Sequence, residues 1–187
     1  VIDVDFLKTL EEKDIFSGIG EMIKVHAINS PESFDEISKS YEQLINDSFV
    51  LEKFIFDSLV MKKKFIEIDE FDSGPRNVMN YGHSFGHAIE SASNYSIPHG
   101  IAVTIGMDIA NYVAAKLGVS TDKHFERMHD VMDKNCKTYR NVYIDVNTLM
   151  LALSKDKKNS ATQLRLILTN QDGCIRIGLY DNNDKLL

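Results

Sequence analysis

Apolar side chains recur at three- and four-residue spacings along most of this chain, which is typical of helices with one buried face. The spacing predicts one helix over 15–28 and a longer one over 41–68. Further helices are predicted over 78–91, 101–117, 123–134 and 147–153. Residues 101–117 carry few charges among Ala, Ile, Val and Met, so we expect that helix to be central and buried. The expected fold class is mainly α.

The apolar period changes to two near the end of the chain. Apolar residues alternate over 164–168 and over 175–179, and an Asn-Gln-Asp-Gly turn lies between the two runs, which predicts a β-hairpin. The first seven residues are also largely apolar and predict a short strand that needs a sheet to join. The chain begins on Val1 rather than on Met, so we expect it to be a piece of a longer protein.

Composition narrows the class of protein and of partner. With 187 residues, 43% of them hydrophobic and 26% charged, the chain has the size and composition of one globular domain. A formal net charge of -7 argues against nucleic-acid and anionic membrane partners. Cys136 and Cys174 make no disulfide framework, and no apolar run is long enough to cross a bilayer. We therefore expect a cytoplasmic protein.

The first candidate for chemistry is a pair of histidines, His83 and His87, four residues apart. On a helix this spacing brings two imidazoles to one face, about 6 Å apart, within reach of one metal ion or one anion. The metalloprotease motif does not fit, because Ser84 supplies no general base. Gly82 and Gly86 beside the histidines indicate either close helix packing or room for a ligand.

Two more residues could complete a metal site. His99 follows a proline and precedes Gly100 at the start of the apolar helix, and Glu21 lies among apolar residues where a carboxylate needs a partner. One Glu and two His would give zinc three protein ligands and leave an open position, which is typical of catalytic zinc. Sequence spacing leaves open whether these side chains meet.

Basic residues near these positions suggest an anionic small-molecule substrate in an otherwise acidic protein. They are Lys24, Lys62, Arg76 and the pair Lys157-Lys158, with the amide of Asn80 one turn after the arginine. The alternative for each is an ordinary solvated surface charge. We expect His26, His124 and His129 to be structural or surface residues, and we reject a dinucleotide fingerprint at Gly18-Ile19-Gly20 because Ile23 replaces its third glycine.

Taken together, these segments resemble the C-terminal domain of 3-dehydroquinate synthase and its sugar-phosphate cyclase relatives. The resemblance covers nearly the whole chain, and its most specific part is the block from Gly82 to Glu90 with the preceding Arg76 and Asn80. It implies a helical-bundle metal and substrate domain over 11–187. It also implies that residues 1–10 are the end of a truncated NAD-binding domain.

The resemblance also implies roles for individual residues. The metal ligands, for zinc or cobalt, would be Glu21, His83 and His99. The remaining matches would be catalytic residues (His87, Lys24 and Asn80) and substrate-binding residues (Lys62, Arg76, Asn80, His87 and Lys157). Asp72 would occupy the position of an acidic residue of the family. Of these, Lys62 and Arg76 would hold a carboxylate, and Asn80, His87 and Lys157 would orient a phosphate.

The activity that the resemblance implies is that of a lyase. Family members convert a seven-carbon keto-acid phosphate to 3-dehydroquinate in the shikimate pathway of aromatic amino acid biosynthesis, with a metal and with NAD. Here NAD would be bound mainly by the missing domain, so we expect the piece to be inactive alone, and the full-length protein to be a homodimer. Ile101 and Pro75 depart from the usual family residues. Three alternatives stay open: another sugar-phosphate cyclase, a metal- and NAD-dependent polyol dehydrogenase, and a degenerate non-catalytic domain.

Overall fold

The computed structural model describes residues 3–154 and 163–181, and this part of the chain is mainly helical. Its α-helices are α1 (Glu12–Asn29), α2 (Pro31–Lys39), α3 (Tyr41–Asn46), α4 (Ser48–Ile68), α5 (His83–Ala92), α6 (His99–Lys116), α7 (Asp122–Cys136) and α8 (Val146–Ser154). Short 3-10 helices span Val4–Thr9, Pro75–Asn80 and Lys137–Tyr139. The predicted fold class is confirmed, as are the predicted helices over 15–28, 101–117, 123–134 and 147–153.

The predicted hairpin is present as an antiparallel pair. Strand β1 (Gln163–Thr169) pairs with β2 (Ile175–Asp181), with Leu166 opposite Gly178 and Leu168 opposite Arg176. Leu166 and Leu168 are buried against the helices. The alternating apolar side chains of β1 therefore place one face of the hairpin against the core, as the sequence pattern predicts.

One predicted helix is divided into two, and another begins later than predicted. The helix predicted over 41–68 is two helices, because Asp47 ends α3 and its side chain accepts hydrogen bonds from the backbone N–H groups of Phe49 at 2.9 Å and Val50 at 3.4 Å, capping α4. The helix predicted over 78–91 begins only at His83, since Gly82 adopts a left-handed φ of 76° between the 3-10 helix and α5. Local capping and backbone conformation decide these boundaries.

The strand predicted over the first seven residues is wrong for the part that is described. Val4–Thr9 forms a 3-10 helix, and the Asp3 side chain accepts a hydrogen bond from the backbone N–H of Asp5 at its start. A strand needs a neighbour, and within 3–154 and 163–181 the strands are β1 and β2, which pair only with each other. The residues therefore satisfy their backbone groups locally.

Helix α6 lies at the centre of the domain and packs against α1, α5, α7 and β1. Val103, Met107, Ala110 and Ala114 are all buried on it, so it contributes to the core along most of its length. None of the helices in the described ranges combines the length and the hydropathy that a membrane span requires.

Glycines allow α6 to pass very close to its neighbours. A Cβ atom at Gly20 of α1 would collide with the carbonyl oxygen of Gly100, and one at Gly100 would collide with the carbonyl oxygen of Ser17. On the other side of α6, a Cβ at Gly106 would collide with the carbonyl oxygen of Gly82, and one at Gly86 would lie 3.0 Å from Cα of Val103. Close helix packing is thus one role of these glycines.

A buried polar network ties the central helix to the segment before α5 and to the hairpin. The Tyr81 hydroxyl donates to Oδ1 of Asn111 at 2.6 Å, and the Thr169 hydroxyl donates to the same oxygen at 2.5 Å. Buried hydroxyls without an acceptor are costly, so this shared amide oxygen fixes the relative positions of all three elements.

We predict opposite effects for alanine at two nearby glycines of α1. Gly20→Ala should destabilise the chain by about 1–3 kcal/mol, because the added methyl group forces α1 and α6 apart. Gly18→Ala is the matched control: a Cβ there meets no atom of the described residues within 4 Å, and alanine favours a helix by about 0.5–1 kcal/mol. Urea denaturation measures both. A Gly20→Ala variant as stable as Gly18→Ala would contradict the close approach.

Candidate metal centre

Three histidines from two helices meet at one place. His83 is the first residue of α5, His87 lies one turn later, and His99 is the first residue of α6. Their ligand nitrogens all lie within 4.8 Å of one another. The ring centroids are 5.3 Å apart for His83 and His87, 5.3 Å for His83 and His99, and 5.7 Å for His87 and His99. The predicted histidine pair is therefore joined by the third histidine.

The glycine contacts explain why these side chains converge. Each histidine follows or precedes a glycine that allows α6 to approach its neighbour: Gly82, Gly86 and Gly100 adjoin His83, His87 and His99, respectively. On α1 the same holds for Gly20 and the following Glu21. Because the backbones are in contact beside the functional residues, short side chains such as imidazole can reach one another.

Glu21 brings a carboxylate to the same place. Its Oε2 accepts a hydrogen bond from Nζ of Lys24 at 2.8 Å, whereas its Oε1 is buried and has no hydrogen-bond partner among the described residues. Oε1 lies 3.9 Å from Nε2 of His99, which is too long for a hydrogen bond. A buried, unpartnered carboxylate oxygen beside an imidazole nitrogen is a suitable ligand for a cation.

The pKa shifts keep Glu21 ionised. Burial alone would raise its pKa, but the charge and hydrogen bond of Lys24 and the neighbouring His83 and His99 outweigh burial and lower the pKa. For Lys24, burial is the largest effect and lowers its pKa, Glu21 raises it, and the charge of Lys62 lowers it further. Lys24 is buried, so its charge acts at short range on the carboxylate.

His83 has the state that a metal ligand requires. Burial, followed by the charge of Lys24, lowers its pKa to about 4, so the imidazole is neutral at physiological pH. Nδ1 of His83 lies 3.2 Å from the carbonyl oxygen of Tyr81. A proton on Nδ1 satisfies that carbonyl and leaves the lone pair of Nε2 available.

One carboxylate oxygen and the imidazole nitrogens form a donor set that fits zinc or cobalt. Two atoms that ligate the same tetrahedral zinc lie about 3.3 Å apart, given Zn–N and Zn–O distances of about 2.0–2.2 Å. The 3.9 Å between Glu21 Oε1 and His99 Nε2 needs only a small adjustment to reach this value. The residues present therefore fit the metal.

The predicted cationic residues are only partly gathered at the cluster. Lys24 is paired with Glu21, and Lys62 on α4 is exposed but close enough for its charge to act on Lys24. Nη1 of Arg76 donates to the carbonyl oxygen of Glu70 at 2.8 Å.

The amide and acidic residues of the predicted site lie in and before the 3-10 helix that precedes α5. Nδ2 of Asn80 donates to the carbonyl oxygen of Asn77 at 3.1 Å, and Asp72 has a φ of 53° and accepts from Asn77 through its carbonyl oxygen. Lys157 lies outside the described residues.

Ile101 and Pro75, the two residues that depart from the usual family residues, lie in different surroundings. Ile101 is buried, and it packs in a core cluster with Ile89, Ile97 and Cys136. Pro75 is the first residue of the 3-10 helix Pro75–Asn80. The side chain at Ile101 thus contributes to the core.

The other three histidines lie outside the cluster, as expected. Nδ1 of His26 lies 2.8 Å from the Ser33 hydroxyl in the core, and Nδ1 of His129 lies 2.9 Å from a carboxylate oxygen of Asp108. Nε2 of His124 on α7 lies 2.9 Å from the carbonyl oxygen of Gln171 in the hairpin turn. These contacts join neighbouring elements of the fold.

One residue that sequence reasoning left without a role lies beside the cluster. Oε1 of Glu90 is 3.2 Å from Nδ1 of His99. The signal was available, because Glu90 follows His83 by seven residues, or two helical turns, and therefore shares its face of α5.

The family model for the C-terminal domain of 3-dehydroquinate synthase matches residues 18–159. The chain belongs to this family. A 3-dehydroquinate synthase of Dictyoglomus thermophilum is 36% identical over 179 residues, which cover 95% of this chain and 50% of that protein. A 3-dehydroquinate synthase of Helicobacter pylori is 32% identical over 187 residues, covering 100% of this chain and 53% of that protein. The chain thus spans about half the length of these curated relatives.

Two solved structures share the fold of this chain. A 2-deoxy-scyllo-inosose synthase in complex with carbaglucose-6-phosphate, NAD+ and Co2+ superposes with a TM-score of 0.81 at 20% identity, covering 98% of this chain and 53% of that chain. The 2-epi-5-epi-valiolone synthase of Streptomyces hygroscopicus, with NAD+ and Zn2+ bound, gives a TM-score of 0.80 at 21% identity, covering 98% of this chain and 51% of that chain. This domain therefore has the same fold as the corresponding half of these two synthases.

We predict that Lys24→Met raises the pKa of Glu21. Lys24 supplies the strongest effects that lower this pKa, and burial, which raises it, remains in the variant. A 13C NMR titration of the Glu21 carboxyl carbon in the metal-free protein measures the shift. Lys123→Met, which removes a charge from an exposed position of α7, is the control. An unchanged Glu21 pKa in Lys24→Met would contradict the assigned electrostatics.

Proposed function

We propose that this chain is the metal- and substrate-binding domain of a 3-dehydroquinate synthase-type cyclase, which is a lyase. The observation that carries the proposal is the buried Oε1 of Glu21, which has no hydrogen-bond partner among the described residues and lies 3.9 Å from Nε2 of His99, beside His83. The relatives at 36% and 32% identity bear the name of that enzyme. The reaction would be NAD- and metal-dependent phosphate elimination and carbocycle formation from a seven-carbon keto-acid phosphate.

Glu21, His83 and His99 would hold the metal. Structural neighbours bind Co2+ or Zn2+, which supports either ion here. A divalent ion at this place would supply a Lewis acid that lowers the pKa of a substrate alcohol. Three protein ligands would leave the ion able to accept that alcohol as a further ligand.

NAD would be bound mainly by residues outside this chain, and residues 1–10 would be the end of that nucleotide-binding domain. Both structural neighbours hold NAD+, and this chain covers about half of each. We further propose that the full-length protein is a homodimer. Its mass in solution, measured by analytical ultracentrifugation, tests this assembly directly.

Cationic residues around the cluster suit an anionic substrate. Lys62 is close enough to Lys24 to lower its pKa, so these ammonium groups repel each other, and an anion between them would relieve the repulsion. We propose that Lys62 and Arg76 hold the substrate carboxylate. In this assignment Arg76 gives up or shares its hydrogen bond to the Glu70 carbonyl.

His87, Lys24 and Asn80 are the proposed catalytic residues. His87 is exposed and its ring lies 5.3 Å from that of His83, so it can contact a substrate bound at the cluster. An imidazole there can hold or release a proton as the phosphate departs. Asn80, and Lys157 in the part of the chain that is not described, would donate hydrogen bonds to the phosphate.

We predict about one zinc or cobalt ion bound per chain in the purified protein. His83→Ala and His99→Ala should each lose most of the metal, because each removes one of three protein ligands. Inductively coupled plasma mass spectrometry measures the content after dialysis. His129→Ala, whose partner is Asp108, is the control and should retain the metal. Full metal content in both ligand variants would overturn the proposed site.

For the full-length protein, we predict turnover of the seven-carbon keto-acid phosphate with release of inorganic phosphate. Arg76→Lys should lower kcat/KM by about 10–100-fold, because lysine cannot form the bidentate contact with a carboxylate. The 187-residue chain alone should release no phosphate. Turnover only of sugar phosphates that lack a carboxylate would favour another cyclase, and NADH accumulation from polyols without phosphate release would favour a dehydrogenase.

A further inference from the structure

His99 lies between two carboxylates. Its Nδ1 is 3.2 Å from Oε1 of Glu90, and its Nε2 is 3.9 Å from Oε1 of Glu21. The first distance is that of a long hydrogen bond, whereas the second leaves a gap between two potential ligand atoms. The two nitrogens of this ring therefore face different partners.

Helix α5 carries Glu90 on the same face as the two histidines. His83, His87 and Glu90 follow one another at spacings of four and three residues, which places them along one stripe. The Glu90 side chain is largely buried, with 14% of its surface exposed, while that of His99 is 45% exposed. Glu90 is thus the more buried partner of the pair.

The position of Glu90 is unfavourable for the helix that carries it. It lies in the last turn of α5, where the helix dipole disfavours a negative charge. Burial of a carboxylate adds a further cost unless a partner compensates it. In the described part of the chain, His99 is the group that offers its side chain a hydrogen bond.

We propose that Glu90 is a positioning residue for the metal centre: its carboxylate accepts the Nδ1 hydrogen of His99 and so directs Nε2 toward Glu21 Oε1. This inference rests on the proposed metal site and adds a residue outside its ligands. Carboxylates in this relation to a ligating histidine fix the tautomer and increase the basicity of the ring. The Tyr81 carbonyl oxygen lies at the corresponding position beside Nδ1 of His83, so both proposed ligand rings are oriented through Nδ1.

The first test uses the metal-free protein. Long-range 1H–15N NMR spectra, with His99 assigned by a His99→Gln variant, should show the Nδ1–H tautomer in the wild type. Glu90→Ala should shift His99 toward the Nε2–H tautomer or an equal mixture, whereas Glu90→Gln, whose amide oxygen still accepts a hydrogen bond, should largely retain Nδ1–H. An unchanged His99 tautomer in Glu90→Ala would overturn the proposal.

The second test measures zinc affinity by competition with a chromophoric chelator. Glu90→Ala should weaken zinc binding by about 10–100-fold, and Glu90→Gln by less, because outer partners of ligating histidines have effects of this size. Glu126→Gln, at an exposed position of α7, makes the same change of charge and should leave the affinity within about twofold. Affinity in Glu90→Ala equal to that of the wild type would reject the inference.

The two tests separate this inference from the function on which it rests. A wild-type protein that binds no zinc would refute the metal site, and the tautomer of the metal-free protein would still decide whether Glu90 orients His99. A purely structural role for Glu90 predicts a lower melting temperature with an unchanged tautomer. If Glu90→Ala fails to fold, Glu90→Met replaces it in both tests, because methionine keeps the side-chain length and removes the acceptor oxygens; an unchanged His99 tautomer in Glu90→Met would overturn the proposal.

Discussion

The close passage of α6 between α1 and α5 is the constraint on which the candidate site depends. Gly20 and Gly100 bring α1 and α6 into backbone contact, while Gly82 and Gly106 do the same for α5 and α6. Glu21, His83 and His99 each adjoin one of these contacts, and His87 adjoins Gly86 one turn further along α5. A single methyl group in either interface would separate the helices, and the imidazoles and the carboxylate would then no longer share one space. Packing and chemistry therefore impose the same requirement on the sequence.

The burial of charged groups at the site follows from that packing. Convergence of three helices buries Lys24 and one oxygen of Glu21, and their ion pair satisfies only Oε2. Within 3–154 and 163–181 the second oxygen is a buried acceptor without a donor, and such an acceptor costs stability in the metal-free protein. Such an arrangement is typical of functional sites, where local stability is lost in exchange for a prepared ligand environment. Glu90 is likewise a largely buried carboxylate, and it contacts the other ring nitrogen of His99.

Helix periodicity and motif spacing predict much of this molecule from sequence. Alternation in 164–168 and 175–179 locates the hairpin, and the apolar run 101–117 identifies the central helix, because both patterns reflect burial directly. The break at Asp47 is decided by a side-chain cap, and Val4–Thr9 lacks a strand to pair with in the described part of the chain, so periodicity fails at both. For the site, spacing shows His83 and His87 as a pair, and local sequence context makes His99 and Glu21 further candidates. The resemblance to a family then selects Glu21, His83 and His99 as the ligands. Their meeting depends on tertiary packing, which no local pattern contains.

We propose that Glu21, His83 and His99 form one metal site. A crystal structure of the chain soaked with zinc, with anomalous data collected on both sides of the zinc edge, decides whether they do. We expect one strong anomalous peak about 2.0–2.2 Å from Glu21 Oε1, His83 Nε2 and His99 Nε2. A peak coordinated by the three histidines with Glu21 still bound only to Lys24, or no peak near these residues, would contradict it.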